Sequence, residues 1–180
     1  MLLLVAATEP ELCGHPGLTC GVGPVEAAAT TARALERDRP DAVLHVGVAG
    51  GRRLIPGAVV LGTEAVYCDL SAGIPVVDRA LPDPALLSTL QAAVPEAISL
   101  AIATSASVSD SESAATRAFR AEAMEGFGVL RACELAGVPA VELRVISNDI
   151  GEGDRERWRI RRGLEVLDGL LPRLLEVLPQ

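Results

Sequence analysis

The sequence contains no lysine: all 16 of its basic residues are arginines, and 24 acidic residues give a formal net charge of −8 at pH 7. Nucleic acids and anionic membrane surfaces are bound through basic patches, because their phosphate charge has to be neutralised. A chain with this excess of acid is therefore predicted to bind neither. Small ligands that are neutral, or that a few local arginines hold, are compatible with the composition.

Paired cysteines and clustered histidines are also missing. The four cysteines are scattered without a CxxC spacing, and the two histidines, His15 and His45, stand far apart. Zinc sites and secreted disulfide frameworks both depend on closely spaced cysteines or histidines. The sequence thus predicts reduced, buried thiols, no metal site, and histidines that make local hydrogen bonds.

No long hydrophobic run opens the chain. The first residues, MLLLVAAT, include no basic residue and reach Glu9 after a short apolar stretch. Signal peptides begin with a basic segment, and a membrane-spanning helix needs about 20 apolar residues. This start therefore predicts a buried strand and a cytoplasmic protein.

Apolar stretches of strand length alternate with segments of helical periodicity. The predicted strands are residues 2–7, 18–22, 42–48, 58–66, 100–108 and 138–146, and the predicted helices are residues 25–36, 84–93, 111–120, 124–135 and 155–178. Such alternation predicts an α/β fold around a largely parallel sheet. The chain has 180 residues and no linker or repeat, which predicts a single domain, 1–180.

Ligands of open α/β sheets bind at the carboxyl ends of the strands, so a site is expected at the strand-to-helix junctions. Four junctions stand out: TEPE, GVGP, GVAGG and SNDIGEGD. Glycines in the clusters that begin at Gly21 and Gly47 either let backbone amides approach a ligand oxygen or simply form turns. A GxGxxG pattern is absent, which argues against a dinucleotide site.

Four acidic side chains at these junctions and at a helix start are candidate functional groups. Glu9 and Glu11 follow the first strand, where a carboxylate can act as a general base, although acids also favour helix starts. Glu125 lies among small and apolar residues, and a binding role is favoured because burying a carboxylate without a partner is costly. Asp154 either caps the long helix that follows it or has a role in the site.

Four segments, taken in order, carry a resemblance to a known family: GVGPVEAAA, RPDAVLHVGVAGG, EAMEG and RVISN. They are similar to the nucleoside phosphorylase and nucleosidase superfamily. Within it the chain resembles the futalosine hydrolases of menaquinone biosynthesis, which are related to the methylthioadenosine/S-adenosylhomocysteine nucleosidases. The resemblance implies one three-layer α/β/α domain whose central twisted mixed sheet is partly closed like a barrel.

Matched residue by residue, the resemblance assigns roles to several positions. Glu125 falls on the glutamate that receives the 2′- and 3′-hydroxyls of ribose, and Met124 falls on the methionine that lies against the sugar. Glu11 matches the glutamate that activates the attacking water, with Glu9 as the alternative if the register slips. These assignments place a nucleoside at the junctions.

The segment VLHVGVAGG bears on the choice between hydrolysis and phosphorolysis. Bacterial phosphorylases place an arginine and a serine in this strand, where the present chain has His45 and Val48. A valine side chain offers phosphate no hydrogen bond, so hydrolysis is expected unless Arg52 or Arg53 folds back to supply donors. Val48 and Gly50 are expected to line the substrate site.

Asn148 stands where adenine-specific nucleosidases carry an aspartate. A neutral amide can accept a hydrogen bond from the protonated N7 of a leaving 6-oxopurine and donate one to its O6. This departure favours hypoxanthine, the base of futalosine, over adenine. Because an amide cannot supply the proton, water or a nearby acid, Asp149 or Asp154, is expected to do so.

The resemblance therefore implies hydrolysis of futalosine to hypoxanthine and dehypoxanthine futalosine, with no cofactor or metal and a small-molecule nucleoside as the ligand. Candidate partners for the benzoate carboxylate of the substrate tail are Arg53, Arg79, Arg117 and Arg120. A homodimer or higher homo-oligomer is expected. The alternatives are a methylthioadenosine-type nucleosidase, a purine nucleoside phosphorylase, and a non-catalytic nucleoside-binding protein.

Overall fold

Strands and helices alternate in the computed structural model, which describes residues 1–70, 72–107 and 115–179. The strands are β1 Leu2–Ala6, β2 Leu18–Thr19, β3 Ala42–Gly51, β4 Val59–Tyr67, β5 Arg79–Ala80, β6 Ile98–Thr104, β7 Ala121–Ala123 and β8 Ala140–Asp149. The helices are α1 Pro24–Asp38, α2 Pro84–Ala93, α3 Gly126–Ala136 and α4 Ile160–Val177, with 3₁₀ turns at Glu9–Leu12 and Arg155–Arg157. Within the described residues, no helix combines the length and apolarity needed to cross a membrane.

The strands form one mixed sheet, part of which closes on itself. Hydrogen-bonded neighbours follow the order β2-β1-β3-β7-β6-β4-β5, and β8 pairs with both β3 and β4. The pairs β3–β7, β4–β5 and β4–β8 are antiparallel, whereas the other pairs are parallel. Strands β3, β7, β6, β4 and β8 therefore form a closed ring, which confirms the expected α/β fold with a partly barrel-like mixed sheet.

Helices cover the sheet from two sides, so β3 and β8 are buried along most of their length, as parallel strands between helical layers usually are. Helices α1 and α3 pack on one side and α2 and α4 on the other, which gives the α/β/α layering. Side chains that build the first interface include Val5, Val43, Leu35 and Leu130. Side chains that build the second include Leu44, Leu61, Leu90, Leu167 and Leu171.

The packing of α1 against α3 depends on a glycine. A Cβ atom on Gly128 would lie 2.4 Å from the carbonyl oxygen of Pro24, so only glycine permits this approach of the two backbones. The contact brings the start of α3, preceded by Glu125, next to Gly23 at the start of α1. One end of the helical layer is thereby fixed beside the strand ends.

Several strands differ from their predicted bounds: β3 continues to Gly51 rather than Val48, and β6 is Ile98–Thr104 rather than residues 100–108, of which residue 108 lies outside the described residues. The predicted strand 18–22 shrinks to two residues because Gly21 and Gly23 adopt φ values of +85° and +95°, which turn the chain out of the sheet. Strand β8 continues to Asp149, beyond the predicted end at Ile146. This extension places Asn148 within the strand rather than in a loop.

Two predicted helices also differ from the structure. Residues 155–157 form a 3₁₀ turn, which the side chain of Asp154 caps by accepting a hydrogen bond from the amide of Glu156. Trp158 then has an extended backbone, so α4 begins only at Ile160. Of the predicted helix 111–120, residues 111–114 lie outside the described residues and residues 115–120 form no helix. The short strands β5 and β7 contain too few residues for a periodic sequence signal.

Candidate active site

A cavity of about 510 Å³ lies where β1, β3 and β8 end and α3 begins. Its volume is in the range of small-molecule sites, roughly 300–1,000 Å³. The residues that line it include six of the seven predicted site residues: Glu11, Val48, Gly50, Met124, Glu125 and Asn148. The topology thus brings together side chains that are far apart in the sequence.

Glu11 is held by three hydrogen bonds and is only 6% exposed. Its Oε2 accepts from the amide of Thr8 at 3.0 Å and from the Thr8 hydroxyl at 2.8 Å, while its Oε1 accepts from the amide of Val48 at 3.0 Å. A carboxylate has about four acceptor positions, so one remains on Oε1. Glu9, the alternative, is exposed and does not line the cavity.

Glu125 precedes α3 and is 4% exposed. Its Oε1 accepts from the amide of Gly23 at 3.1 Å, and its Oε2 lies 3.4 Å from Nη2 of Arg144. These contacts occupy two of the four acceptor positions of the carboxylate. Two positions therefore remain for hydroxyl groups of a ligand.

Arg144 is a fully buried cation that holds this carboxylate from behind. Its Nε donates to Glu142 Oε1 at 2.8 Å, and its Nη2 also contacts Nε2 of His45. Burial disfavours the charged form of Arg144, but the carboxylates of Glu142 and Glu125 outweigh burial and raise the pKa of Arg144 above its ordinary value. The guanidinium therefore stays charged inside the protein.

His45 and Glu142 complete the buried network. His45 Nδ1 lies 3.1 Å from the carbonyl oxygen of Val5, which can only accept, so Nδ1 carries the proton and Nε2 accepts from Arg144. Burial, followed by the charge of Arg144, lowers the pKa of His45 well below 6.5 and keeps the ring neutral. Burial raises the pKa of Glu142, although Arg144 opposes the shift.

Gly47 on β3 lets this network approach Glu11. A Cβ atom there would lie 2.5 Å from Nη1 of Arg144 and 2.6 Å from Oε1 of Glu11. Any larger residue at position 47 would push both groups away. The glycine cluster of β3 thus serves the close approach of protein side chains at this position.

Asn148 presents its amide to the cavity from β8. Its Oδ1 lies 2.8 Å from the hydroxyl of Ser147, and its Nδ2 donates to the carbonyl of Asp149 at 3.0 Å. An amide has two acceptor positions and two N–H donors. One acceptor and one donor are therefore left for a ligand.

Asp154 does not line the cavity, in contrast to the role expected from the sequence. It is exposed, and its carboxylate caps the 3₁₀ turn at Arg155–Arg157, which was the alternative interpretation. Asp149 is also exposed and lies outside the cavity. The additional acids that do line it are Glu122, whose pKa is raised by burial, and Glu152.

The arginines proposed for the substrate tail are not cavity residues either. Arg79 pairs with Glu64 at 3.0 Å, and neither Arg53 nor Arg120 lines the cavity. Arg117, Arg52 and the fully buried His45 are likewise absent from its lining, and Arg52 Nε donates to the carbonyl of Phe119 at 3.2 Å. Within the described part of the chain, the arginine that lines the cavity is Arg155.

The sequence analysis missed Arg144 and Glu142, although their spacing carries a signal. They stand two residues apart in an otherwise apolar strand, VELRVIS, so both side chains leave the same face of the sheet. Charged residues are almost never fully buried unless they are paired. Adjacent opposite charges on one face of a buried strand could therefore have been identified as an internal ion pair.

No group of three or more histidine, cysteine, aspartate or glutamate side chains suited to a metal ion occurs in the described segments of the chain. The four cysteines are free.

The family model of the phosphorylase superfamily matches residues 12–176 of this chain. A futalosine hydrolase of Streptomyces coelicolor is 36% identical over 185 aligned residues, which cover 89% of this chain and 78% of that protein. A futalosine hydrolase of Thermus thermophilus is 30% identical over 183 residues, which cover 90% of this chain and 81% of that protein.

Among solved structures, a 5′-methylthioadenosine/S-adenosylhomocysteine nucleosidase from Neisseria meningitidis in complex with methylthio-immucillin-A is similar, with a TM-score of 0.87. The two sequences are 19% identical, and the superposition covers 98% of this chain and 99% of the other. At this identity the likeness establishes the fold alone.

Removing the buried cation should destabilise the protein more than removing an exposed one. Arg144→Met leaves the carboxylates of Glu125 and Glu142 without their counterion, and breaking such a buried pair typically costs about 3–5 kcal/mol. Urea unfolding followed by circular dichroism measures the decrease in the free energy of unfolding. Arg131→Met, which removes a surface partner of Glu134, is the control and should cost no more than about 1 kcal/mol.

Adding Glu142→Gln to Arg144→Met should recover part of the lost stability, because one uncompensated carboxylate is then removed. Equal stability of wild type and Arg144→Met would contradict the assignment of Arg144 as the counterion of this network.

Proposed function

The chain belongs to the phosphorylase superfamily, and we propose that it is a nucleoside N-glycosidase that hydrolyses futalosine to hypoxanthine and dehypoxanthine futalosine. One observation carries the proposal: Glu11, Glu125 and Asn148 line a single cavity, and each keeps hydrogen-bonding positions that the protein leaves unused. The similarity to futalosine hydrolases over most of the chain supports this choice of substrate.

Glu125 binds the ribose. Its two remaining acceptor positions suit the 2′- and 3′-hydroxyls, because vicinal hydroxyls supply two donors on one side of the sugar. Arg144 and the amide of Gly23 hold the carboxylate in a fixed orientation. Met124, which also lines the cavity, lies against the sugar.

Glu11 orients and deprotonates the attacking water. The water oxygen forms a bond to the anomeric carbon while the N-glycosidic bond breaks and its electron pair passes to N9 of the base. The proton of the water passes to the remaining acceptor position on Oε1. General base catalysis of this kind typically supplies about 10²–10⁴-fold in rate.

Asn148 stabilises the departing base. Its unused acceptor position receives N7–H of hypoxanthine, and its unused N–H donates to O6. The proton on N7 comes from water or from Glu122, which lines the cavity and has a raised pKa. Asp149 and Asp154 lie outside the cavity and are not part of this step.

The charges of the cavity favour hydrolysis over phosphorolysis. The buried side chains of Glu11 and Glu125 line it, and Val48 contributes an apolar side chain where a phosphorylase needs a donor. The negative charges of these carboxylates would repel an entering phosphate dianion and so oppose its binding. Water, which is neutral and small, meets no such barrier.

We also propose that the protein acts in the cytoplasm as a homodimer or higher homo-oligomer, with no cofactor and no metal. These points rest on the resemblance of the chain to its family. Light scattering at assay concentrations measures the molar mass, and the mass of a single chain would contradict the proposed oligomer.

The proposed activity is tested by incubating the protein with futalosine, inosine and methylthioadenosine, each with and without phosphate, and identifying the released base. Hypoxanthine should be released from futalosine at a rate that does not depend on phosphate. Strict dependence on phosphate would indicate a phosphorylase, and preferential release of adenine would indicate a methylthioadenosine-type nucleosidase. Binding without any turnover would reject an enzymatic function.

Glu11→Gln should lower kcat by about 10²–10⁴-fold, because an amide cannot take a proton from water. The KM should stay within about tenfold of wild type, since the lost group is a proton acceptor and not the main contact to the substrate. Glu9→Gln changes an exposed neighbour in the same way and should leave both constants unchanged. The assignment fails if Glu11→Gln keeps wild-type turnover.

Asn148→Asp should change which base the enzyme prefers. Wild type should favour futalosine over its 6-amino counterpart, aminodeoxyfutalosine, by at least about 10²-fold in kcat/KM, because a 6-amino group would face the amide donor. In the variant a carboxyl oxygen replaces the donor and can accept from that amino group, so the ratio should fall by about tenfold or more or invert.

The control for this experiment is Asp149→Asn, which changes an exposed neighbour outside the cavity and should keep the wild-type ratio. An unchanged ratio in Asn148→Asp would show that another group reads the base.

A further inference from the structure

The charges that line the cavity are unevenly distributed. Four of the lining side chains are glutamates, whereas Arg155 is the basic residue among the described residues that line it. Glu11 and Glu125 are buried, while Arg155 is exposed. The cavity therefore has an acidic interior and a positive charge at its rim.

Arg155 is held at the rim by an aromatic side chain. Its guanidinium carbon lies 5.6 Å from the centre of the Trp158 ring, within the range of a cation–π contact. The indole Nε1 of Trp158 donates to the carbonyl of Glu152 at 2.8 Å, which fixes the ring. Trp158 also lines the cavity, so the ring and the cation form one surface.

Two of the neighbouring arginines, Arg157 and Arg161, are already paired with carboxylates, unlike Arg155. Nη1 of Arg157 lies 3.0 Å from Oε2 of Glu152, and Nε of Arg161 lies 3.3 Å from Oε1 of Glu165. Among the described residues, no carboxylate forms an ion pair with Arg155. Its guanidinium therefore has its fork of donors available for a ligand.

We infer that Arg155 and Trp158 form a subsite for an aromatic carboxylate at the far end of the nucleoside substrate, with the guanidinium binding the carboxylate and the indole packing against the aryl ring. The inference rests on the proposed function, since it is the tail of futalosine that carries a benzoate. An arginine fork matches the two oxygens of a carboxylate. Ile160 and Leu164, which line the cavity nearby, extend the apolar surface for the ring.

The position of this subsite also follows from charge. A carboxylate placed beside Glu11 and Glu125 would be repelled, whereas a tail that leaves the sugar toward the exposed rim reaches the cation. The reacting bond and the anionic group are thereby kept at opposite ends of the cavity. The subsite thus selects the tail, while Asn148 selects the base.

The test compares futalosine with its neutral methyl ester and with inosine, which has no tail. Arg155→Gln should lower kcat/KM for futalosine by about 10- to 100-fold at low salt, because a charge-assisted hydrogen bond is lost. The values for the ester and for inosine should stay within about twofold of wild type. The difference in kcat/KM for futalosine between wild type and Arg155→Gln should become smaller at high salt, because salt screens exposed charges.

Arg161→Gln removes the same charge from an exposed arginine outside the cavity, so it should keep the wild-type ratio of acid to ester. The dissociation constants of the acid and the ester give the same comparison when Glu11→Gln is added to all three proteins, because this change slows hydrolysis during the calorimetry. An equal acid-to-ester ratio in wild type and Arg155→Gln would overturn the subsite while leaving the proposed function intact.

Binding of futalosine without hydrolysis would instead overturn the proposed function, and the dissociation constants would still decide the role of Arg155. A protein that does not bind futalosine at all would overturn both.

Discussion

The buried charge of Arg144 is the constraint on which the site depends. A guanidinium without solvent is tolerated only if its attraction to nearby carboxylates and its hydrogen bonds offset a desolvation cost of several kcal/mol. Arg144 on β8 meets this condition through Glu142 on its own strand, Glu125 before α3 and His45 on β3. The register of β3 and β8 and the position of α3 are therefore coupled to the orientation of the carboxylate proposed to bind ribose.

The three polar side chains proposed to act on the substrate, Glu11, Glu125 and Asn148, each use only part of their hydrogen-bonding capacity within the protein. Thr8 and Val48 occupy three positions of Glu11, and Ser147 and the backbone occupy half of those of Asn148. The protein contacts fix the orientation, and the unused positions point to where a ligand can bind. Such preorganisation lowers the cost of reorganising polar groups during a reaction.

Much of the fold could be predicted from the sequence, because hydrophobic periodicity reports which faces of a segment are buried. The alternation of strands and helices was sufficient for the α/β class, and most element positions agree with the structure to within a few residues. The closure of the sheet could not be predicted from periodicity, since it depends on β7, a strand of three residues that links β3 to β6. A segment of that length has no measurable period.

The sequence by itself indicated the family through four ordered segments, and the resemblance of these segments to the family marked Glu11, Glu125 and Asn148 as candidate site residues. Only the tertiary structure decided which charges meet: His45 and Arg144 are 99 residues apart in the chain and touch inside the protein. It likewise placed Arg155, and not Asp154, at the cavity. Local sequence specifies helix caps and strand faces. Contacts between charges that are distant in the chain depend on the register between strands such as β3 and β8, so they exist only after the sheet has formed.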